Sequence, residues 1–134
     1  MQIYKKILVT MDCSPVDESI VDHVAKIALQ NKAEVFLLHV IHSHTLDQHR
    51  ALSKKAEKNL DKHIKNLQQQ NVNATIKFRS GEPEKEILAE IEDNNYDLVA
   101  MGLHGHNFFL DALLGSVSRS IKHKIKVPLL LMRG

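Results

Sequence analysis

The run "DLVAM", residues 97–101, is apolar after its first residue and does not alternate with polar side chains. A strand with one wet face alternates; a strand covered on both faces does not. The run therefore reads as a central strand of a sheet with helices on both sides. "KILVT", residues 6–10, has the same character, and the two are expected side by side. Directly after the later run comes "GLHGHNFFLDALLGS", residues 102–116, with glycines at the spacing G-x2-G-x9-G and a serine after the last. Glycine lets a backbone approach a ligand without side-chain bulk, but flexible joints explain this stretch alone equally well.

Outward from these two runs the chain alternates strand and helix. After "KILVT", the segment "SPVDESIVDHVAKIALQN" puts Ile20, Val24, Ile27 and Ala28 on one helical face. Ser14 is expected as the N-cap, Pro15 as the first helical residue and Asp17 as the closing member of a capping box. "EVFLLHVI" reads as the second strand. Leu52, Ala56, Leu60, Ile64 and Leu67 predict an amphipathic helix over about 48–70, its other face lysine and glutamate. "ATIKFR" alternates, with Ile76 and Phe78 opposite Thr75, Lys77 and Arg79, and is expected as a half-exposed edge strand. "SGEP" is a turn, "EKEILAEIEDN" a short helix, "GSVSRSIKHK" a further helix and "VPLLLM" a last strand.

A βαβαβαβαβ order implies one parallel sheet with right-handed crossovers. With the first and fourth strands central, the strand order is 3-2-1-4-5: a single-domain, Rossmann-like α/β fold over residues 1–134. The chain reverses direction between the first and fourth strands, and open α/β sheets bind ligands at such a switch point, outside the carboxyl ends of the strands. The loops emerging there are "MDCSP" and the glycine stretch, which favours the binding reading.

Composition narrows the function classes. The chain has 134 residues, 43% hydrophobic and 25% charged, which suits a globular domain with its own core. No run is long enough to span a bilayer, and the start "MQIYKKILVTMD" lacks the features of a signal peptide, so a cytoplasmic protein without membrane association is expected. The single cysteine, Cys13, suits a reducing compartment. A net charge of +2 without a basic block, and few aromatic residues, argue against nucleic acid as partner.

At the switch point, Gly115 and Ser116 open the expected helix, whose positive end favours an anion such as phosphate. Gly102 and Gly105 would let the backbone pass close to a ribose. Asp12, ending the first strand, can accept hydrogen bonds from a sugar or base, or serve only as a turn carboxylate. There is no G-K-[ST], so this is not a Walker A loop. A phosphoacceptor receiver would need clustered acids after the first strand, where Asp12 stands alone in the sequence.

Over almost its whole length the chain resembles the universal stress protein family. The likeness rests on "ILVTMDCS", "LLHV", "GEPEKEIL" and "DLVAMGLHGHNFFLDALLGSVSRSI" running into "VPLLLM". The G-x2-G-x9-G-[ST] spacing marks the family's ATP-binding branch, and Gly102, Gly105, Gly115 and Ser116 match it position by position. The resemblance implies the adenine nucleotide alpha hydrolase-like fold and a stress sensor or regulator. Its ligand would be ATP, alone or with Mg or Mn, or else ADP or AMP. It implies that Asp12 and the backbone at Met11 and Val40 hold adenosine, while Gly102, His104, Gly105, Gly115, Ser116 and Val117 hold ribose and phosphates. It also points to a homodimer through the C-terminal strand. Leu103 and His106 depart from the family's usual Ser or Thr and Arg or Lys, which removes a hydroxyl and replaces a fixed charge with a titrating one. Catalysis is not indicated beyond a slow ATPase. The rival class is a nucleotide-free dimeric interaction module.

Nine histidines are unusual for this length. His39, His42, His44 and His49 lie close in sequence but match no closed zinc spacing, and solvated polar residues are the alternative. Cys13, near the start of the first helix, is either a reactive thiol of lowered pKa or a small buried filler.

Overall fold

The computed structural model describes residues 3–103, 121 and 123–133. Five strands form one parallel sheet in the order β3-β2-β1-β4-β5. They are β1 (Lys6–Thr10), β2 (Glu34–Ile41), β3 (Ala74–Ser80), β4 (Leu98–Leu103) and β5 (Leu129–Arg133), joined in chain order by α1 (Val16–Asn31), α2 (Leu46–Gln69) and α3 (Pro83–Asp93). The expected strand order and switch point are both present. Most of the helix expected over 115–124 lies outside the described residues; Ile121, His123 and Lys124 are helical.

The two non-alternating runs are neighbours, with Ile7 opposite Leu98 and Thr10 opposite Met101. Ile7, Leu8, Val9, Val99 and Ala100 are fully buried, as a strand covered on both faces requires. On one face α1 and α2 pack through Ile20, Val24, Ala28, Leu60 and Leu67 onto Ile7, Val9 and Leu37. On the other, Ile87 and Ile91 of α3, with Ile121, cover Leu8, Leu38, Val99 and Met101. Asp97 ties the amino end of this central pair. Its Oδ2 accepts the N–H groups of Lys5 and Lys6 at 2.8 and 2.9 Å, and its own N–H donates to Lys6 O.

Three local expectations need correction. Ser14 does not cap α1: its Oγ is buried with no partner among the described residues, and Pro15 stands at the cap position with helical angles. The Asp17 carboxylate instead accepts the Cys13 N–H at 2.8 Å, one residue earlier than a regular capping box. The second helix begins at Leu46 rather than near 48, because Thr45 and Gln48 form a capping pair. Thr45 Oγ1 accepts the Gln48 N–H at 3.1 Å, and Gln48 Oε1 accepts the His44 N–H at 2.7 Å.

In β3 the alternation is present but its exposure is not as expected. Phe78 is exposed, while Lys77 and Arg79 are partly covered because acidic residues of α3 reach over them. Glu90, almost fully buried, accepts hydrogen bonds from Lys77 Nζ, Arg79 Nη1, Asn94 Nδ2 and Tyr96 Oη at 2.6–2.9 Å. Burial alone would raise the Glu90 carboxyl, but these donors and the Lys77 charge together hold it below its ordinary value.

Candidate functional site

A cavity of about 260 Å³ opens at the carboxyl ends of β1, β2 and β4. Its position follows from the strand order: the crossovers from β1 and β4 leave in opposite directions, so the chain parts there. Four residues singled out in the sequence line it, namely Met11, Asp12, Val40 and Gly102. His104, Gly105, Gly115, Ser116 and Val117, the other candidates, lie outside the described residues, as does His106. The wall also contains Thr10, Leu38, Pro83, Ile87 and Met101, which sequence reasoning did not assign to a site, and His39, which it weighed only as a metal ligand. "GEPEKEIL" and "LLHV" carried part of that signal, since Pro83, Ile87, Leu38 and His39 belong to them.

The strap leaving β1 is held at each residue. The Met11 N–H donates to Leu38 O at 2.7 Å, and His39 Nδ1 donates to Met11 O at 2.7 Å. Asp12 Oδ1 accepts the Ser14 N–H at 3.2 Å. Cys13, between them, has a left-handed φ of +64°. That conformation costs a non-glycine residue on the order of 1 kcal/mol, and its persistence here reflects how fully the neighbouring bonds fix the strap.

The cysteine expectation is settled against a lowered pKa. Burial pushes the Cys13 thiol up, and the Asp17 and Asp12 carboxyls push it further in the same direction. Asp17 is itself 1% exposed. Burial, and then the neighbouring Asp12 carboxyl, push it up to about 7.

Gly102 belongs to β4 itself, paired with Met132 of β5. A Cβ at this position would sit 2.7 Å from Val16 Cγ1 on the first turn of α1. Close packing of helix on strand thus demands glycine here independently of any ligand. Gly81, with φ +135°, is a second position among the described residues where glycine is favoured; its N–H donates to Ile41 O.

The histidines are distributed among separate partners. His39 is tied to Met11 as above. His42 Nδ1 donates to Gly81 O, its ring stands edge-on to His44 with centroids 5.3 Å apart, and His49, inside α2, hydrogen-bonds Ser80 Oγ through Nε2. Among the described residues no group of three or more His, Cys, Asp or Glu side chains is arranged to hold a metal ion. No helix among them is long and apolar enough to cross a membrane.

Comparison with known proteins agrees with the fold. The universal stress protein A homolog 1 of Coxiella burnetii is 30% identical over 130 residues, covering 90% of each chain. The solved structure of MJ0577 from Methanocaldococcus jannaschii superposes with a TM-score of 0.85 at 28% identity, covering 98% of this chain and 97% of that one. A universal stress protein of Archaeoglobus fulgidus, solved in complex with dAMP, has the same fold with a TM-score of 0.75 at 18% identity, over 97% of this chain and 98% of its own. The model of the universal stress protein family matches residues 3–133, and the chain belongs to that family.

Proposed function

We propose that the protein binds an adenine nucleotide, ATP by preference, at the cavity beyond β1 and β4 and acts in the cytoplasm as a nucleotide-dependent regulator. The observation that carries the reading is the convergence of Met11, Asp12, Val40 and Gly102 on one cavity at the switch point. At about 260 Å³ the cavity lies just under the ~300–1,000 Å³ usual for small-molecule pockets. That size suits a base and its sugar, and the resemblance assigns the phosphates to Gly115 and Ser116, which lie outside the described residues. The largely apolar wall of Leu38, Val40, Ile87 and Met101 suits a flat purine, and Asp12 supplies the acceptor for ribose hydroxyls or the exocyclic amine. The complex of the Archaeoglobus relative with dAMP supports a ligand of this class. We further propose a homodimer formed across β5, which ends the sheet with Leu131 exposed at its surface.

The test is direct. Purified protein is heat-denatured and the supernatant read by mass spectrometry, then ATP, ADP, AMP and GTP are titrated calorimetrically. Adenine nucleotides should be found and should bind in preference to GTP. Gly115→Val should abolish ATP binding while the circular dichroism spectrum stays native. Absence of adenine nucleotide from the supernatant together with no titratable binding would leave the interaction module as the function.

A further inference from the structure

The outer strand β3 carries the side chains that hold the far wall of the cavity. In the parallel register Leu38 lies beside Lys77, and Val40 beside Arg79. Register partners leave a sheet on the same face, so the two cations form a row immediately outside the wall residues Leu38 and Val40. The wall that α3 contributes is Pro83 and Ile87, and neither cation lines the cavity itself.

Along α3, Glu86, Glu90 and Asp93 share one flank, and Pro83, Ile87 and Ile91 occupy the flank beside it. The Arg79 guanidinium spans the acidic flank. Its Nε donates to Glu86 Oε1 at 3.0 Å and its Nη1 to Glu90 Oε1 at 2.9 Å, with Nη2 3.6 Å from Asp93 Oδ2. Carboxylates on successive turns, held by one planar group, fix both the distance of α3 from β3 and its rotation about its own axis. Lys77, by contrast, is bonded to Glu90 alone, at 2.9 Å. The contact nearest the cavity is Arg79 with Glu86, which directly precedes Ile87. Gly81 leaves room for it: a Cβ there would lie 3.2 Å from both Cγ and Oε2 of Glu86.

We infer that Arg79 is a positioning residue for the ligand site: from the edge strand, without touching the ligand, it sets the rotation of α3 that presents Pro83 and Ile87 to the bound base. This rests on the nucleotide reading above. Ile87 and Ile91 do hold α3 on the sheet, packed with Leu8, Leu38 and Val99. Apolar contact is non-directional, however, and selects a rotation less sharply than hydrogen bonds of fixed geometry. A gap of about 0.5–1 Å between wall and base would forfeit about a quarter to a half of the dispersion attraction there.

The experiment titrates adenosine calorimetrically against wild type, Arg79→Met, Arg79→Lys, Ile87→Ala and the double variant Arg79→Met/Ile87→Ala. Met keeps the apolar stem, and Glu90 keeps Lys77, Asn94 and Tyr96 as donors, so Arg79→Met should fold. Its affinity for adenosine should fall about tenfold. Lys retains the charge and one carboxylate contact, and should stay within about threefold of wild type. In the Ile87→Ala background the wall that Arg79 positions is already gone, so Arg79→Met should cost less than about threefold more. Methyl NMR of the free protein should show the Ile87 signal displaced in Arg79→Met and the Val99 signals unmoved. Affinity of the folded Arg79→Met within about twofold of wild type, or a loss undiminished in the Ile87→Ala background, would overturn the inference while leaving nucleotide binding intact. If Arg79→Met does not fold, Glu86→Gln takes its place: it should weaken adenosine binding about threefold, and unchanged affinity would overturn the inference equally. If wild type binds no adenine ligand, the nucleotide reading is what has failed; an Ile87 signal unmoved in Arg79→Met would separately show that Arg79 does not set this wall.

Discussion

Replacing Gly102 by alanine tests whether the first glycine of the motif serves the ligand or the helix. The added methyl would lie 2.7 Å from Val16 Cγ1 and 3.3 Å from Cγ2, well inside van der Waals contact. Val16 is 6% exposed, and its β-branched side chain has little rotamer freedom on a helix, so it cannot swing aside. Overpacking of this kind costs about 1–3 kcal/mol. At about 2.1 cal/mol/K per residue, the unfolding entropy of 134 residues is roughly 0.28 kcal/mol/K. A midrange cost of about 2 kcal/mol therefore lowers Tm by about 7 °C. In a Val16→Ala background both γ-carbons are gone, and the same step should be nearly free, giving a coupling of about 2 kcal/mol in a double-mutant cycle. Calorimetric melts of the four proteins measure it, with adenosine affinity taken on the double variant. An undiminished cost of Gly102→Ala in the Val16→Ala background would refute the steric account. Adenosine affinity retained in the stable double variant would show that the ligand does not need this glycine.

Further outcomes follow from other parts of the molecule. Glu90→Gln removes the charge facing Lys77 and Arg79; because both cations still reach solvent, the loss should be about 2–3 kcal/mol at pH 7, read by urea unfolding. The folded Glu90 carboxyl titrates below its ordinary 4.5, so its contribution is complete above that pH and is lost as pH falls below it. The gap between wild type and variant should close in acid, and a gap unchanged at pH 3 would contradict the network. His63, on α2 and 3% exposed, has its pKa lowered first by burial and then by Lys62. Its stability contribution is therefore present above 6.5 and declines as pH falls through and below that value. His63→Leu should flatten that decline, and identical profiles for the two proteins would dismiss it. Leu131→Lys places a charge on an exposed residue of the outer strand and should convert a dimer to monomers in sedimentation equilibrium. A monomeric wild type or a fully dimeric variant would remove β5 as the interface.

The fold was legible where burial on both faces leaves its mark on composition. "KILVT" and "DLVAM" could be paired from sequence because strands covered on both faces lose the apolar–polar alternation. The start of α2 was placed about two residues late because Thr45 and Gln48 precede the apolar periodicity, and the capping pair fixes the helix well before its stripe begins at Leu52. Among the cavity-lining residues Asp12 and Gly102 were singled out by their chemistry and Met11 and Val40 by the family resemblance, whereas Leu38, Ile87 and Met101 were not. An apolar side chain looks the same in sequence whether it faces core or cavity. Asp17 was placed as a cap residue, but its burial and its bond to the Cys13 N–H depend on the folded strap, which spacing alone does not convey.

The hydrogen bonds that join Lys5 and Lys6 to Asp97 span 92 and 91 residues of chain. A ribosome adding roughly 5–20 residues per second takes roughly 5–20 s to deliver the second partner after the first. Once β2 has followed, β1 can lie against it for the rest of that interval, yet its other edge, and the side chains of Ile7, Leu8 and Val9 that end up fully buried, have no β4 to meet. The innermost strand of the finished sheet is thus the outermost strand of the nascent one. Its exposure to other unfinished chains is a direct consequence of a strand order that turns between the first and fourth strands.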